Sequence, residues 1–352
     1  MRIAQVAPLY ESVPPRQYGG TERVVSYLTE ELVRQEHDVT LFAAGDSVTS
    51  AKLIPVVPTA LRLGAGSAGG AADDFIAPHV LMLEQVAKRA RDFDVIHYHI
   101  GHLHFPLSRF LRVPHVTTIH GRLDLPELQA LFRAFSDVPL VSISNHQRQP
   151  IEFANWLATV YHGLPPDLYN LGSGRGNYLA FLGRVSPEKR VDRAIQVAER
   201  VGMELRIAAK VDDADRDYFD ARIRPMLQHS HVRFIGEITE REKSAFLGDA
   251  AALIFPIEWP EPFGLVMVEA MACGTPVIAF RRGSVPEILR DGESGFIVNS
   301  VDGAVDAVQK LHTLERARCR RAFEARFLAE RMAEEYVAVY RRLSWDHDVA
   351  AA

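Results

Sequence analysis

At 352 residues, with 47% hydrophobic and 24% charged side chains, the chain is too long for one hydrophobic core and too apolar for disorder, so two globular domains are expected. Its formal net charge of −5 lacks the basic excess of a nucleic-acid binder, and no uncharged apolar run reaches the ~18 residues that a membrane span needs. The opening Met1-Arg2-Ile3-Ala4-Gln5-Val6-Ala7-Pro8 is too short and too broken by polar residues for a signal peptide. Cys273 and Cys319 have no ligand-like spacing and read as structural thiols of a reducing cytoplasm.

Short apolar runs alternate with segments of helical period from end to end. Ile3 to Ala7, Val39 to Ala43, Val95 to His99, His115 to Ile119 and Leu140 to Ser144 are predicted strands; Glu22 to Arg34, Phe75 to Ala90 and Glu127 to Phe135 are predicted helices. The alternation restarts with strands at Tyr178 to Leu182, Leu205 to Ala209, Val232 to Ile235, Ala252 to Phe255 and Val277 to Ala279. That pattern is doubly wound α/β, twice over. Residues 1–165 form the first expected domain, 166–176 a linker rich in Gly and Pro, 177–328 the second domain, and 329–352 a terminal helix. Gly64 to Ala72 is of low complexity and reads as a surface loop or a lid.

In open α/β sheets ligands sit at the carboxyl ends of strands. Tyr18-Gly19-Gly20-Thr21-Glu22 follows the first strand and opens a helix, so its glycines allow a close backbone approach. Ser186 and Pro187 suit the cap and first position of a helix, which places Lys189 in a first turn that disfavours a cation unless an anion is near; Arg184 ends the preceding strand. Asp213-Ala214-Asp215 resembles a metal-binding Asp-x-Asp but is better read as the start of a helix running to Leu227. His97, His99, His102 and His104 lack a carboxylate or Cys at ligand spacing, so they suit a polar wall more than a metal site.

The most informative stretch is Pro260-Glu261-Pro262-Phe263-Gly264-Leu265-Val266-Met267-Val268-Glu269, followed by Gly274-Thr275-Pro276-Val277. Pro262 and Gly264 keep Glu261 out of a helix, whereas Leu265 to Ala272 favour one that Gly274 stops. Glu269 then lies roughly 7 to 8 Å along that helix at 1.5 Å per residue. The free N–H groups of Gly264 and Leu265 suit an anion. Taken alone, Glu261 reads equally as a cap and Glu269 as a solvated helix residue.

With Phe263-Gly264 between the two carboxylates, this stretch resembles the donor-site motif of retaining glycosyltransferases of family 4, and the resemblance extends over nearly the whole chain. It implies a GT-B architecture, two facing Rossmann-like domains with parallel sheets, the first binding an acceptor and the second a nucleotide sugar. It implies that Arg184 and Lys189 hold the donor diphosphate with the amides of Gly19 and Gly20, that Glu261 holds hexose hydroxyls and Glu269 ribose hydroxyls, and that Phe263, Gly264 and Leu265 complete the donor site. His120, after the fourth long strand, would lie near the transferred sugar; Lys210 and His99 are further candidates.

The implied reaction moves a hexose from a UDP- or GDP-hexose to a saccharide, lipid-linked or small-molecule hydroxyl, with no cofactor and no obligatory metal, by front-face attack with the leaving diphosphate as base. A sugar-nucleotide epimerase or a noncatalytic sugar-nucleotide binder on the same fold are the alternatives. No nucleic-acid partner is expected, and the Arg-rich terminal helices leave peripheral membrane contact open. Two departures from the family pattern stand out: Lys210-Val211-Asp212-Asp213 replaces a frequent Gly-x-Gly turn, and Gly283-Ser284 a Gly-Gly pair.

Overall fold

The computed structural model describes residues 1–64 and 75–351. Positions 65–72 of the low-complexity stretch lie outside the described residues. The chain forms two compact units, residues 1–163 with 329–352, and residues 164–328.

The first unit contains a seven-stranded parallel sheet in the order β3-β2-β1-β4-β5-β6-β7: β1 Arg2–Val6, β2 Asp38–Ala43, β3 Lys52–Pro55, β4 Val95–Tyr98, β5 His115–Thr118, β6 Leu140–Ser142 and β7 Trp156–Thr159. Central β1 pairs with β2 and β4 in parallel, Gln5 lying opposite Leu41 and His97. Helices α1 (Gly20–Arg34), α2 (Ile76–Arg89) and α3 (Pro126–Ala134) follow the strands that precede them. One face of the sheet packs Val6, Phe42, Ile96 and Tyr98 against Met82 and Val86 of α2.

The second unit repeats the design with six parallel strands in the order β10-β9-β8-β11-β12-β13. These are β8 Tyr178–Arg184, β9 Glu204–Lys210, β10 Val232–Gly236, β11 Ala252–Phe255, β12 Val277–Phe280 and β13 Gly295–Val298. Around them run α4 (Val191–Val201), α5 (Glu240–Gly248), α6 (Leu265–Ala272), α7 (Val301–Gln309) and α8 (Arg316–Glu324). The core joins Ile195 and Ala198 of α4 to Leu179, Ile207 and Ile254 of the strands. Strands buried on both faces read as near-continuous apolar runs, as expected of a parallel sheet.

The last helix, α9 (Ala329–Ala351), belongs to the first unit and packs on α1. Residues 166–176 lie within the second unit: Gly172 N donates to Cys273 O (2.9 Å), Gly174 N to Gly248 O (3.0 Å), and the Arg316 guanidinium holds the carbonyls of Gly172, Gly248 and Ala250. A Cβ on Gly172 would lie 2.1 Å from Gly248 Cα, so glycine there serves close packing.

One expected helix start is overturned. Ser186 to Arg190 form a turn closed by Lys189 N donating to Ser186 O (3.1 Å), and α4 starts only at Val191. Arg190 caps it in the left-handed region (φ 52°), its guanidinium held by Asp192 at 2.9 Å through two bonds. Lys189 is therefore outside the first helical turn. Asp213–Gln228 is helical as expected but irregular, with a π turn over Phe219–Ile223 that passes to a 3₁₀ segment containing Pro225. Among the described residues no helix is long and apolar enough to cross a membrane.

Candidate active site

The turn after β8, the end of β11 and the loop that opens α6 meet in the second unit. The β8 strand delivers Arg184, and the turn after it delivers Lys189. Beyond β11, Glu258 N donates to Glu188 O (2.8 Å), which ties the loop carrying Trp259 and Glu261 to the turn carrying Lys189. Lys189 Nζ consequently lies 2.6 Å from Glu261 Oε2, the same oxygen that accepts a hydrogen bond from Trp259 Nε1 at 2.8 Å. The ammonium also sits 5.4 Å from the Trp259 ring and 5.7 Å from that of Phe255, within cation–π range.

The loop is shaped from below by the segment after β12. Ser284 N donates to Glu261 O and Ser284 Oγ to Phe263 O, each at 2.9 Å. The Gly283-Ser284 departure thus has a structural use: the added hydroxyl donates to the Phe263 carbonyl, a bond that a second glycine could not make. Gly264 then adopts φ 77° and ends the loop, and α6 begins at Leu265 with no side chain capping it. The first N–H groups of α6 carry the positive end of its dipole beside Glu261 and Lys189.

Glu269 is buried in α6, not solvated, and its carboxylate accepts from Lys243 Nζ at 2.7 Å. Lys243 lies 3.3 Å from Glu240, which is hydrogen-bonded by Tyr169. Arg184 is shared between Asp212 (3.5 Å) and Asp215 (3.6 Å), and Lys210 pairs with Asp212 at 2.8 Å. Burial alone would raise the Asp212 carboxyl, but the Lys210 hydrogen bond and charge, with Arg184 behind them, hold it below the usual range. Burial raises Asp215, Arg184 opposes it, and the nearby charges of Glu188 and Asp212 add to the rise. Each expected phosphate ligand thus carries a carboxylate partner.

Sequence reasoning missed Lys243, Trp259 and Glu258. Glu258 accepts from Arg190 (3.1 Å) and Arg282 (3.2 Å) and is also paired with Arg193. One carboxylate so collects three guanidinium groups from the turn before α4, α4 itself and the loop after β12. A cluster of Arg near Glu in sequence would not reveal it, because the partners lie 24 to 68 positions away.

Gly19, Gly20, His99 and His120 belong to the first unit. Gly19 is buried, and a Cβ there would meet Pro15 at 2.7 Å; Gly20 opens α1 and is exposed, with nothing within 4 Å of an added Cβ. Glu22, in the same first turn, is buried, and burial pushes its carboxyl up to about 7.

The four neighbouring histidines do not form the expected polar wall. His97, His99 and His104 are buried, and only His102 is exposed. His104 Nε2 bonds Thr117 Oγ1 at 2.8 Å and its ring stacks on Tyr98. His97 bonds the Tyr340 hydroxyl and Thr118 Oγ1, each at 2.7 Å, while His99 bonds Gln5 Oε1 (2.7 Å) and His120 (2.9 Å). Burial holds all of these imidazoles neutral: His97, His99, His104 and His162 fall well below the usual value and His120 to about 3. Among the described residues no group of three or more His, Cys, Asp or Glu could hold a metal ion.

Two family models match the chain, "Glycosyltransferase Family 4" over residues 18–206 and "Glycosyl transferases group 1" over residues 170–326. The chain belongs to glycosyltransferase family 4. Glycogen synthase of Mycobacterium tuberculosis is 27% identical over 401 residues, 97% of this chain and 95% of that protein. A 41.2 kDa protein of the cps region of Klebsiella pneumoniae is 28% identical over 169 residues, and there the alignment spans only 46% of each protein. The crystal structure of AviGT4, a glycosyltransferase involved in avilamycin A biosynthesis, is 25% identical with a TM-score of 0.75, over 98% of both chains. Two parallel-sheet Rossmann-like domains therefore make this a family 4 chain of GT-B type.

Proposed function

We propose that the chain is a retaining hexosyltransferase that takes its sugar from a UDP- or GDP-hexose and delivers it to a hydroxyl acceptor. The observation that carries this reading is the contact between Lys189 and Glu261 at the start of α6. A nucleotide sugar joins a polyhydroxyl ring directly to a phosphate, so its site needs a hydroxyl acceptor and a phosphate cation side by side. Glu261 and Lys189 supply that pair, and the α6 N-terminus adds amide donors. Arg184 offers a fork for a second phosphate, and Glu269 a buried carboxylate for ribose hydroxyls.

In this reading the bond from the anomeric carbon to the diphosphate oxygen breaks while the acceptor oxygen bonds that carbon from the same face. The acceptor's proton passes to a leaving phosphate oxygen. Arg184 and Lys189 gain contact as charge grows on the diphosphate, which is the condition for lowering a barrier. Two cations and a helix terminus can neutralise that charge without a bound metal. Two buried free thiols, Cys273 and Cys319, suit a reducing cytoplasm.

The test is a panel of UDP- and GDP-hexoses, with and without saccharide, polyol and lipid-linked acceptors, in the presence of a metal chelator. Acceptor-dependent release of nucleoside diphosphate, with the anomeric configuration kept in the product, is the expected result. Recovery of the donor as an isomer in the absence of acceptor would overturn it. A trapped glycosyl-enzyme adduct would replace front-face attack by double displacement.

A further inference from the structure

His99 is buried on the first unit's sheet with both ring nitrogens engaged, whereas His120 has one engaged and one not. His99 Nε2 faces Gln5 Oε1 at 2.7 Å, and His99 Nδ1 faces His120 Nε2 at 2.9 Å. His120 Nδ1 is buried and has no hydrogen-bond partner among the described residues. A neutral imidazole carries one proton, so the direction of this chain decides which nitrogen of His120 is the acceptor.

Gln5 sets the direction. Its Nε2 lies 3.2 Å from the Tyr340 hydroxyl, and its Oε1 lies 2.7 Å from His99. Reversing the amide would make the first contact an O–H···O bond of 3.2 Å, longer than such bonds run, and the second an N–H···N bond of 2.7 Å, shorter than an N–H donor usually approaches. As placed, Gln5 Nε2 donates to Tyr340, whose hydroxyl is left to donate to His97 Nδ1 at 2.7 Å. His97 then donates from Nε2 to Thr118 Oγ1, which donates to the Tyr336 hydroxyl at 2.8 Å. Each bond in the run then pairs one donor with one acceptor.

We propose that His99 is a positioning residue: held by Gln5, and through Gln5 by Tyr340 of α9, it accepts from His120 Nε2–H and so fixes the His120 Nδ1 lone pair as the acceptor left for a ligand hydroxyl. The opposite polarity would leave a buried N–H without an acceptor, the costlier orphan. Among the described residues nothing donates to that lone pair, so a donor from outside the protein completes it. On the reading of His120 as sugar-facing, that donor is a sugar hydroxyl. The last helix thereby sets the protonation pattern of a residue reached through two side chains.

The tautomers are read directly, without activity, from long-range ¹H–¹⁵N spectra of the full chain labelled in histidine nitrogen. At neutral pH His99 and His120 are expected as the Nε2–H form. His99→Asn, whose Oδ1 stands where Nδ1 did, is expected to leave His120 unchanged. His99→Leu removes the acceptor and gives a mixture of both His120 tautomers. Should His99→Leu fail to fold, Tyr340→Phe serves, since it frees the Gln5 amide to reverse and brings Nδ1–H signal to His120. A wild-type His120 protonated on Nδ1, or a His120 pattern unmoved in folded His99→Leu and Tyr340→Phe, overturns the proposal. Binding of UDP or GDP measured on the same samples separates the two readings: loss of nucleotide binding by the wild-type chain sinks glycosyl transfer and leaves the tautomer result standing.

Discussion

Lys189 faces a choice between partners. It sits against Glu261 and by the Trp259 ring, both side chains of the ion pair being largely buried. On the proposed reading, a phosphate that engaged Lys189 would free the Glu261 carboxylate for a hydroxyl, so one event would prepare both residues. This alters what substitution should do. A cation in an exposed first turn would matter little to folding, but breaking a buried pair leaves an uncompensated charge and costs about 3 kcal/mol. Lys189→Ala is therefore expected to lower the urea stability of the second unit by about that amount and nucleotide-sugar turnover by roughly 10²–10³-fold. The double variant Lys189→Met with Glu261→Gln removes both charges and should recover the stability while leaving turnover low. If the single variant is as stable as wild type, the pair is not buried as described; if the double variant turns over normally, neither residue serves the reaction.

At the scale of elements, the loop between β11 and α6 is held in shape by a glycine on another segment. Gly283 has φ 54°, and a Cβ there would lie 2.3 Å from both N and O of Glu261. Gly283→Ala combines a left-handed alanine, about 1–2 kcal/mol, with a clash against backbone that cannot rotate aside. It should lower stability by at least about 2 kcal/mol and displace Glu261, read as a change in the fluorescence of Trp259, whose Nε1 donates to Glu261. Gly303→Ala, in helix α7 with its nearest neighbour 3.5 Å from the added Cβ, is the control and should be neutral or stabilising. An unchanged Gly283→Ala would mean that the loop is free to move. The glycine's partner is distant in sequence, which marks the boundary of what the sequence makes legible. Buried strands such as β8, β11 and β12 are apolar runs and stand out, and Gly264 announces the start of α6. Edge strands β3 and β7 contain no fully buried residue, and their apolar stretches are short, whereas Phe296-Ile297-Val298 of β13 is an apolar run as legible as those of β11 and β12. The sequence points to an earlier α4 start because Ser186 and Pro187 form a plausible cap, whereas the left-handed Arg190 is held by Asp192 and by Glu258, 68 positions on. Glu261 and Lys189 were visible by resemblance, but their contact, and the service of Lys243 to Glu269, depend on packing between elements.

For the molecule as a whole, the buried histidines make the stability of the first unit depend on pH with a definite sign. His97, His99, His104, His120 and His162 are neutral in the fold and have depressed affinities for protons, His120 titrating only near about 3. In the unfolded chain each takes a proton near its ordinary value of about 6.5. Below that value the unfolded state binds more protons, so stability falls as pH falls, by up to about 1.4 kcal/mol per histidine per pH unit. Glu22 works the other way: its carboxyl keeps a proton up to about 7 in the fold, whereas the unfolded chain loses it near 4.5, so it costs stability as pH rises through that window. One such group against five leaves the sign to the histidines. Lowering the pH from about 7 to about 5.5 is expected to reduce the unfolding midpoint of the first unit steeply, followed in a Trp259→Phe variant through the partly buried Trp156 of β7, Trp345 being largely exposed. A midpoint that held or rose over this range would mean that the imidazoles are solvated or paired with acids. The same network that orients His120 would then lose its basis, because a charged His99 has no lone pair with which to accept from its neighbour.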